Sequence, residues 1–261
     1  MKNIILFVVL AAVAPAVHAA ADSAKAVAYT PAAPKAAGFA GDNASDAAFA
    51  SDLRSAEEFL RRISREKKMD PAQFDKYKTK EIGRARQYYR WAAAEAVPHS
   101  RAMAQKMKAP DELMAEGRRL VAADPASWKG YDYLATGSLL KDDVAGAKEN
   151  FEKALAVAPE FQQDWFRYML AGCHNISKDT GQALELYDGV IDRNDNWVAV
   201  KSAYITASLI LIGRDDDKAA RYFDRGMSLR NPAERKALLG TGTCAKFKAG
   251  KLPEFCAAAG Q

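Results

Sequence analysis

The chain has 261 residues, a formal net charge of +5 and only three cysteines and three histidines. It contains no H-E-x-x-H, G-x-S-x-G or Walker A pattern, which sets aside the zincin, α/β-hydrolase and P-loop classes. No set of His, Cys or carboxylate residues at ligand spacing calls for a metal or any other cofactor.

Lys2 gives a short positive start, Ile4 to Val13 an apolar run, and Pro15 a break before Val17-His18-Ala19. This predicts a secretory signal peptide over residues 1–19, cut after Ala19. The competing reading is an uncleaved anchor, but the run is too short to span hydrocarbon and ends at a small-residue site, so the chain is not expected to span the membrane once the signal is removed. No cysteine follows the cut to carry a lipid. The alanine-rich signal predicts export to a bacterial periplasm. Residues 20–50 are Ala, Pro, Gly and Ser with almost no large apolar side chains. They bury too little surface to offset ordering entropy and read as a disordered linker.

Residues 51–123 read as an N-terminal basic helical region. Leu53, Ala56, Leu60 and Ile63 recur at helical spacing. Asp70-Pro71 with Gln73 predicts an N-cap, a first-turn proline and a capping-box partner. That helix runs through Phe74, Tyr77, Ala85, Tyr88 and Ala92 and is expected to end before Pro98. Pro110-Asp111-Glu112 opens another that stops at Asp124-Pro125. Leu120-Val121 and Pro125 match Ala154-Leu155 and Pro159 thirty-four residues on, which makes 99–125 a candidate degenerate repeat.

Residues 51–120 carry 17 basic and 11 acidic side chains, whereas 121–261 carry 18 and 19. The surplus includes Arg61, Arg62, Arg65, Lys67 and Lys68. A solvated helix face accounts for such a run, since Glu57, Glu58 and Glu66 are interspersed. Peptidoglycan or an anionic envelope surface is the other reading, because export removes nucleic acid from reach.

From 124 onward a 36-residue interval governs the chain. Ala147, Ala183 and Ala219 are each followed four residues later by an aromatic: Phe151, Tyr187 and Phe223. Ala154, Val190 and Gly226 come three residues beyond. Leu134-Ala135, Leu170-Ala171 and Thr206-Ala207 lie thirteen residues upstream. A fixed interval with small and aromatic residues in fixed order predicts stacked supersecondary units. Asn231-Pro232 with Glu234 opens a capping helix after the third unit.

These residues resemble the tetratricopeptide repeat, a helical hairpin of about 34 residues with an L-G slot, an A-x3-F pair and a terminal proline. The segment 128–161 carries Leu134-Ala135, Ala147-x3-Phe151, Ala154 and Pro159 in those slots. The second and third units replace the proline by Asp195 and a late Pro232, and the tryptophan slots hold Tyr131, Arg167 and Ala203. The two extra residues per unit are expected in the turns, where insertions cost little. The resemblance implies an all-α fold: an α-solenoid over 124–261, with extra N-terminal helices and a C-terminal capping hairpin.

In that family the first helix of each pair lines a concave partner-binding surface. Carried across, the register places Lys129, Asp132 and Thr136 there, then Trp165 and Tyr168, then Lys201, Tyr204 and Ser208. Aromatic and positive groups suit an extended peptide. The competing reading packs Trp165 and Tyr168 between units. Asp132 and Thr136 stand where the family's carboxylate clamp needs lysine and asparagine, so a clamp for chaperone tails is not expected. His174 sits in a tyrosine slot and reads as a packed histidine. Cys173 beside it makes no dyad, since neighbours on a helix point about 100° apart. The chain thus reads as a non-enzymatic periplasmic scaffold for protein or peptide partners. The alternative is a cell-wall or surface-polymer module using the basic helices.

Cys244 and Cys256 flank Gly250 at six residues each, and Ala249-Gly250 with Pro253 reads as a turn. An exported chain keeps disulfides. Folding back at that turn predicts a Cys244–Cys256 bond stapling a short final helix, with Cys173 a buried free thiol.

Overall fold

A computed structural model describes residues 57–247 and 251–259. The expected signal peptide and linker, and the first residues of the basic region, lie outside that range. All regular structure among the described residues is helical, and no helix there is long and apolar enough to cross a membrane.

The chain begins with α1 over 57–66. Lys68, at φ 51°, lies in the turn that follows. Helix α2 spans Pro71–Trp91, opened by the expected capping box in which Asp70 accepts from Gln73 N at 2.9 Å. The sequence puts a stop before Pro98, but the structure carries the helix through it. A π-helical turn at Ala92–Ala96 leads directly into α3, Val97–Lys106. Widening to i→i+5 bonding upstream of the proline is one way a helix accommodates a residue that lacks an N–H and crowds the preceding turn.

Helix α4 is Pro110–Ala123. Three further pairs follow: α5 Trp128–Leu140 with α6 Val144–Val157, α7 Glu160–Ile176 with α8 Thr180–Arg193, and α9 Trp197–Leu211 with α10 Asp216–Ser228. Each helix packs on the next along the chain, and α7 also touches α9. The fold is therefore all-α, with helices packed in adjacent pairs. Within 99–125, only α4 joins this sequence of close partners. Helix α3 continues the long N-terminal helix instead.

The 36-residue register is the packing register. Ala147, Ala183 and Ala219 are fully buried, as are Phe151, Tyr187 and Phe223, and Ala135, Ala171 and Ala207. Gly226 takes the third small slot because α9 approaches closely there. A Cβ on it would lie 2.8 Å from Ile205 Cδ1 and 3.0 Å from Tyr204 Cβ. Each pair turns at an aspartate N-cap. Asp143 accepts from Gly146 N, Asp179 from Gln182 N and Asp215 from Lys218 N, again 36 residues apart.

The added length is not confined to turns. The first helices have 13, 17 and 15 residues, and in the shared register α7 and α9 start about a turn before α5. That extra turn brings Phe161 onto the rings of Tyr88 and Trp91, at 6.2 and 5.9 Å.

After α10 come α11 Pro232–Leu239, a 3-10 turn Thr243–Lys246 and α12 Glu254–Ala259. Asn231 and Glu234 form the expected capping box. Cys244 and Cys256 are bonded, with S–S 2.06 Å and Cα–Cα 5.5 Å, and Cys173 is free and buried. Helix α12 docks on α10, where Asp224 accepts from the backbone N–H of Glu254 and Phe255 at 3.0 and 3.1 Å.

Candidate functional site: the first-helix face and its cover

The first helices α5, α7 and α9 carry every residue expected to grip a partner, and α1–α3 lie over that face. The cover begins at α5. His99 Nε2 meets Asp132 Oδ2 at 2.9 Å, both side chains buried. Trp128 and Tyr133 close around the imidazole in edge-to-face contacts, with ring centroids at 4.9 and 5.0 Å. Lys129 donates to Glu95 at 2.8 Å.

Further along, Glu81 accepts from Asn194 at 2.8 Å, and Arg84 pairs with Asp195 in the turn before α9. Beneath that turn lies Asp164, fully buried. It accepts from Arg167, Arg193 and the backbone of Asp195 at 3.1, 3.0 and 3.3 Å. At the far end Phe59 of α1 packs on Tyr204, with ring centroids 5.9 Å apart. Phe59, Leu60, Ile63, Ala85, Tyr88 and Ala92 of the cover share one buried cluster with the paired helices.

The expected partner-binding residues are therefore mostly interior. Asp132, Tyr168, Lys201 and Tyr204 are buried, and Lys129 and Trp165 are half-buried. Tyr168 hydrogen-bonds Thr206 across α7 and α9 at 3.4 Å, and Trp165 stacks on Tyr168 at 5.5 Å. Tyr168 thus packs between α7 and α9, one of the two sequence readings, whereas Trp165 lies half-buried against Tyr168 on its own helix. Thr136 and Ser208 are buried as well.

Lys201 forms a buried ion pair with Glu234 of α11 at 2.8 Å. Burial alone would raise the Glu234 carboxyl, but Lys201 and Arg230 bring it below its ordinary range. Burial raises the Tyr204 phenol far above its usual value, and Arg225 only partly opposes this.

The His99–Asp132 pair is closed in by two aromatic rings, and among the described residues no hydrogen bond brings a hydroxyl or thiol to the other imidazole nitrogen, as a nucleophile–base pair requires. His174, half-buried, meets Asp179 Oδ2 at 3.0 Å and so anchors a turn. Among the described residues no group of three or more His, Cys, Asp or Glu side chains is placed to hold a metal.

Two surfaces of the cover face solvent. Lys76, Lys80, Arg86 and Arg90 are exposed on the outer face of α2, opposite the buried Glu81, Ala85 and Tyr88. Between α1 and α2 lies a pocket of about 340 Å³ lined by Glu58, Arg61, Ser64, Arg65 and Phe74. Sequence reading missed this pocket because its walls come from two helices whose mutual packing no periodicity reports.

No family model, curated protein or solved structure matches this chain.

Proposed function

We propose that this chain is an exported, periplasmic scaffold of the tetratricopeptide-like type, an α-solenoid that holds protein partners rather than transforming a substrate. The observation that supports this most is the fixed register. The same small and aromatic positions are buried in three successive helix pairs, the repetition by which helical hairpins stack into extended surfaces. Since the cover occupies the first-helix face, partners meet the cover itself or the outer helices. The test is affinity capture from envelope extracts with the full chain as bait, beside sedimentation with purified peptidoglycan. Recovery of defined proteins, with no pelleting on peptidoglycan, is the expected result. Pelleting without protein capture would replace this reading.

The second reading, a surface-polymer module, is favoured by the outer face of α2, where Lys76, Lys80, Arg86 and Arg90 lie with only Thr79, Gly83 and Gln87 between them. In it, Gln at Lys76, Lys80 and Arg90 abolishes pelleting and leaves capture of protein partners intact.

A further inference from the structure

The basic run on α1 looks self-neutralised in sequence, because three glutamates are interspersed with it. In the structure those glutamates are committed elsewhere. Glu57 meets Lys78 of α2 at 3.4 Å, Glu58 meets Arg235 of α11 at 2.7 Å, and Glu66 pairs with Arg225 of α10. Arg62 is taken by Glu254 of α12 at 3.0 Å. Arg61, Arg65, Lys67 and Lys68 are left exposed with no acidic partner among the described residues. The fold has thus separated a locally balanced sequence into a structural set of charges and a free cationic set.

The free set borders a cavity. Arg61 and Arg65, one helical turn apart and so neighbours on the same face, line the 340 Å³ pocket with Ser64 and half-buried Phe74. Glu58 also lines it, but its carboxylate is held by Arg235. This volume is at the small end of ligand pockets, so it takes a small group rather than a large molecule. Guanidinium forks match carboxylates in two-point geometry.

We propose that the α1–α2 pocket binds an acidic segment of a partner protein, with carboxylates on Arg61 and Arg65 and one apolar side chain against Phe74. This rests on the reading of the chain as a protein-binding scaffold and assigns it a docking point. A neutral glycan lacks the carboxylates that would pair with Arg61 and Arg65. Among the described residues, no exposed large hydrophobic side chain lines the pocket for insertion into a bilayer.

The test uses the full chain and two fluorescein-labelled peptides of alternating glutamate and serine, one with a central leucine and one with glycine there. The leucine peptide should bind saturably by anisotropy and more tightly than the glycine peptide. The Arg61→Gln/Arg65→Gln variant should lose about tenfold or more, the scale of charge-assisted hydrogen bonds. Lys76→Gln/Lys80→Gln, on the other side of α2, should leave the affinity unchanged. Unaltered melting of both variants secures the comparison, since all four side chains are exposed.

Equal affinity for both peptides would reduce the site to unspecific charge and overturn the proposal. So would binding that ignores the arginine substitutions, absence of peptide binding, or preference for phosphatidylglycerol vesicles or peptidoglycan over the leucine peptide. If the arginine variant still captures the same envelope proteins, the scaffold reading stands and only this docking point falls.

Discussion

A lysine with 5% of its side chain exposed survives inside a protein only beside its counter-ion. Lys201 has Glu234, and removing the lysine would leave a buried carboxylate. Lys201→Met is therefore expected to cost about 3–5 kcal/mol at neutral pH, read by denaturant titration. The sign with pH follows from Glu234. Its carboxyl is lowered in the folded chain, so the stability it contributes is present above the unfolded value of about 4.3 and lost as pH falls through the folded one. In the variant, acid relieves the penalty by protonating Glu234, so its deficit against wild type should shrink towards pH 4. A deficit independent of pH would show that the pair is not what holds Lys201. Cys173 makes a second residue-scale test. Burial pushes its thiol up to about 12, so iodoacetamide at pH 8 should label it only after unfolding. Lys201 and Cys173 differ in how much their own sequence revealed. An apolar setting and an odd cysteine count mark Cys173 as buried and free. Nothing around Lys201 announces that α11, thirty-odd residues later, supplies its partner.

At the scale of elements, the small-aromatic register and the capping residues Asp70, Asn231 and Pro110 are local signals, and the helices start where those signals stand. Asp143, Asp179 and Asp215 were equally readable as a 36-residue series of caps. Two features escaped. Pro98 looked like a stop because its cost was weighed against α-geometry alone, and the π-turn is a third option. The extra residues were assigned to turns because loops are the cheapest place for them, yet they lengthen α7 and α9 where those helices meet the cover. The register carries its own test. Ala147 sits at 0% exposure where α5 and α6 meet, and leucine there should overpack the contact by about 1–3 kcal/mol. An unchanged melting temperature for Ala147→Leu would mean that this contact has room the structure does not show.

On the scale of the molecule, the sequence left the placement of α1–α3 open. Their amphipathic pattern gives each helix an apolar face but says nothing of what lies against it, and the groove expected along α5, α7 and α9 is instead an interior boundary. Arg62–Glu254, Arg235–Glu58, Arg225–Glu66 and Asn194–Glu81 join residues 192, 177, 159 and 113 positions apart. Stacked hairpins without such ties unfold by fraying from their ends, because each unit meets only its neighbours. Here the cover crosses all three pairs, and the bonded C-terminal hairpin grips α1. Thermal unfolding followed by circular dichroism and by Trp fluorescence should give one coincident transition. Separate transitions would place the cover outside the cooperative unit.

The same ties set a clock. Hairpins that close locally fold fast, whereas contacts spanning most of the chain must wait for loop closure. Helices α1–α3 are made before the paired helices, yet Phe59 of α1 meets Tyr204 only once α9 exists, and Arg62 meets Glu254 only once α12 does. During synthesis and any passage across a membrane, the part of the molecule that finishes the fold is the part that has been waiting longest.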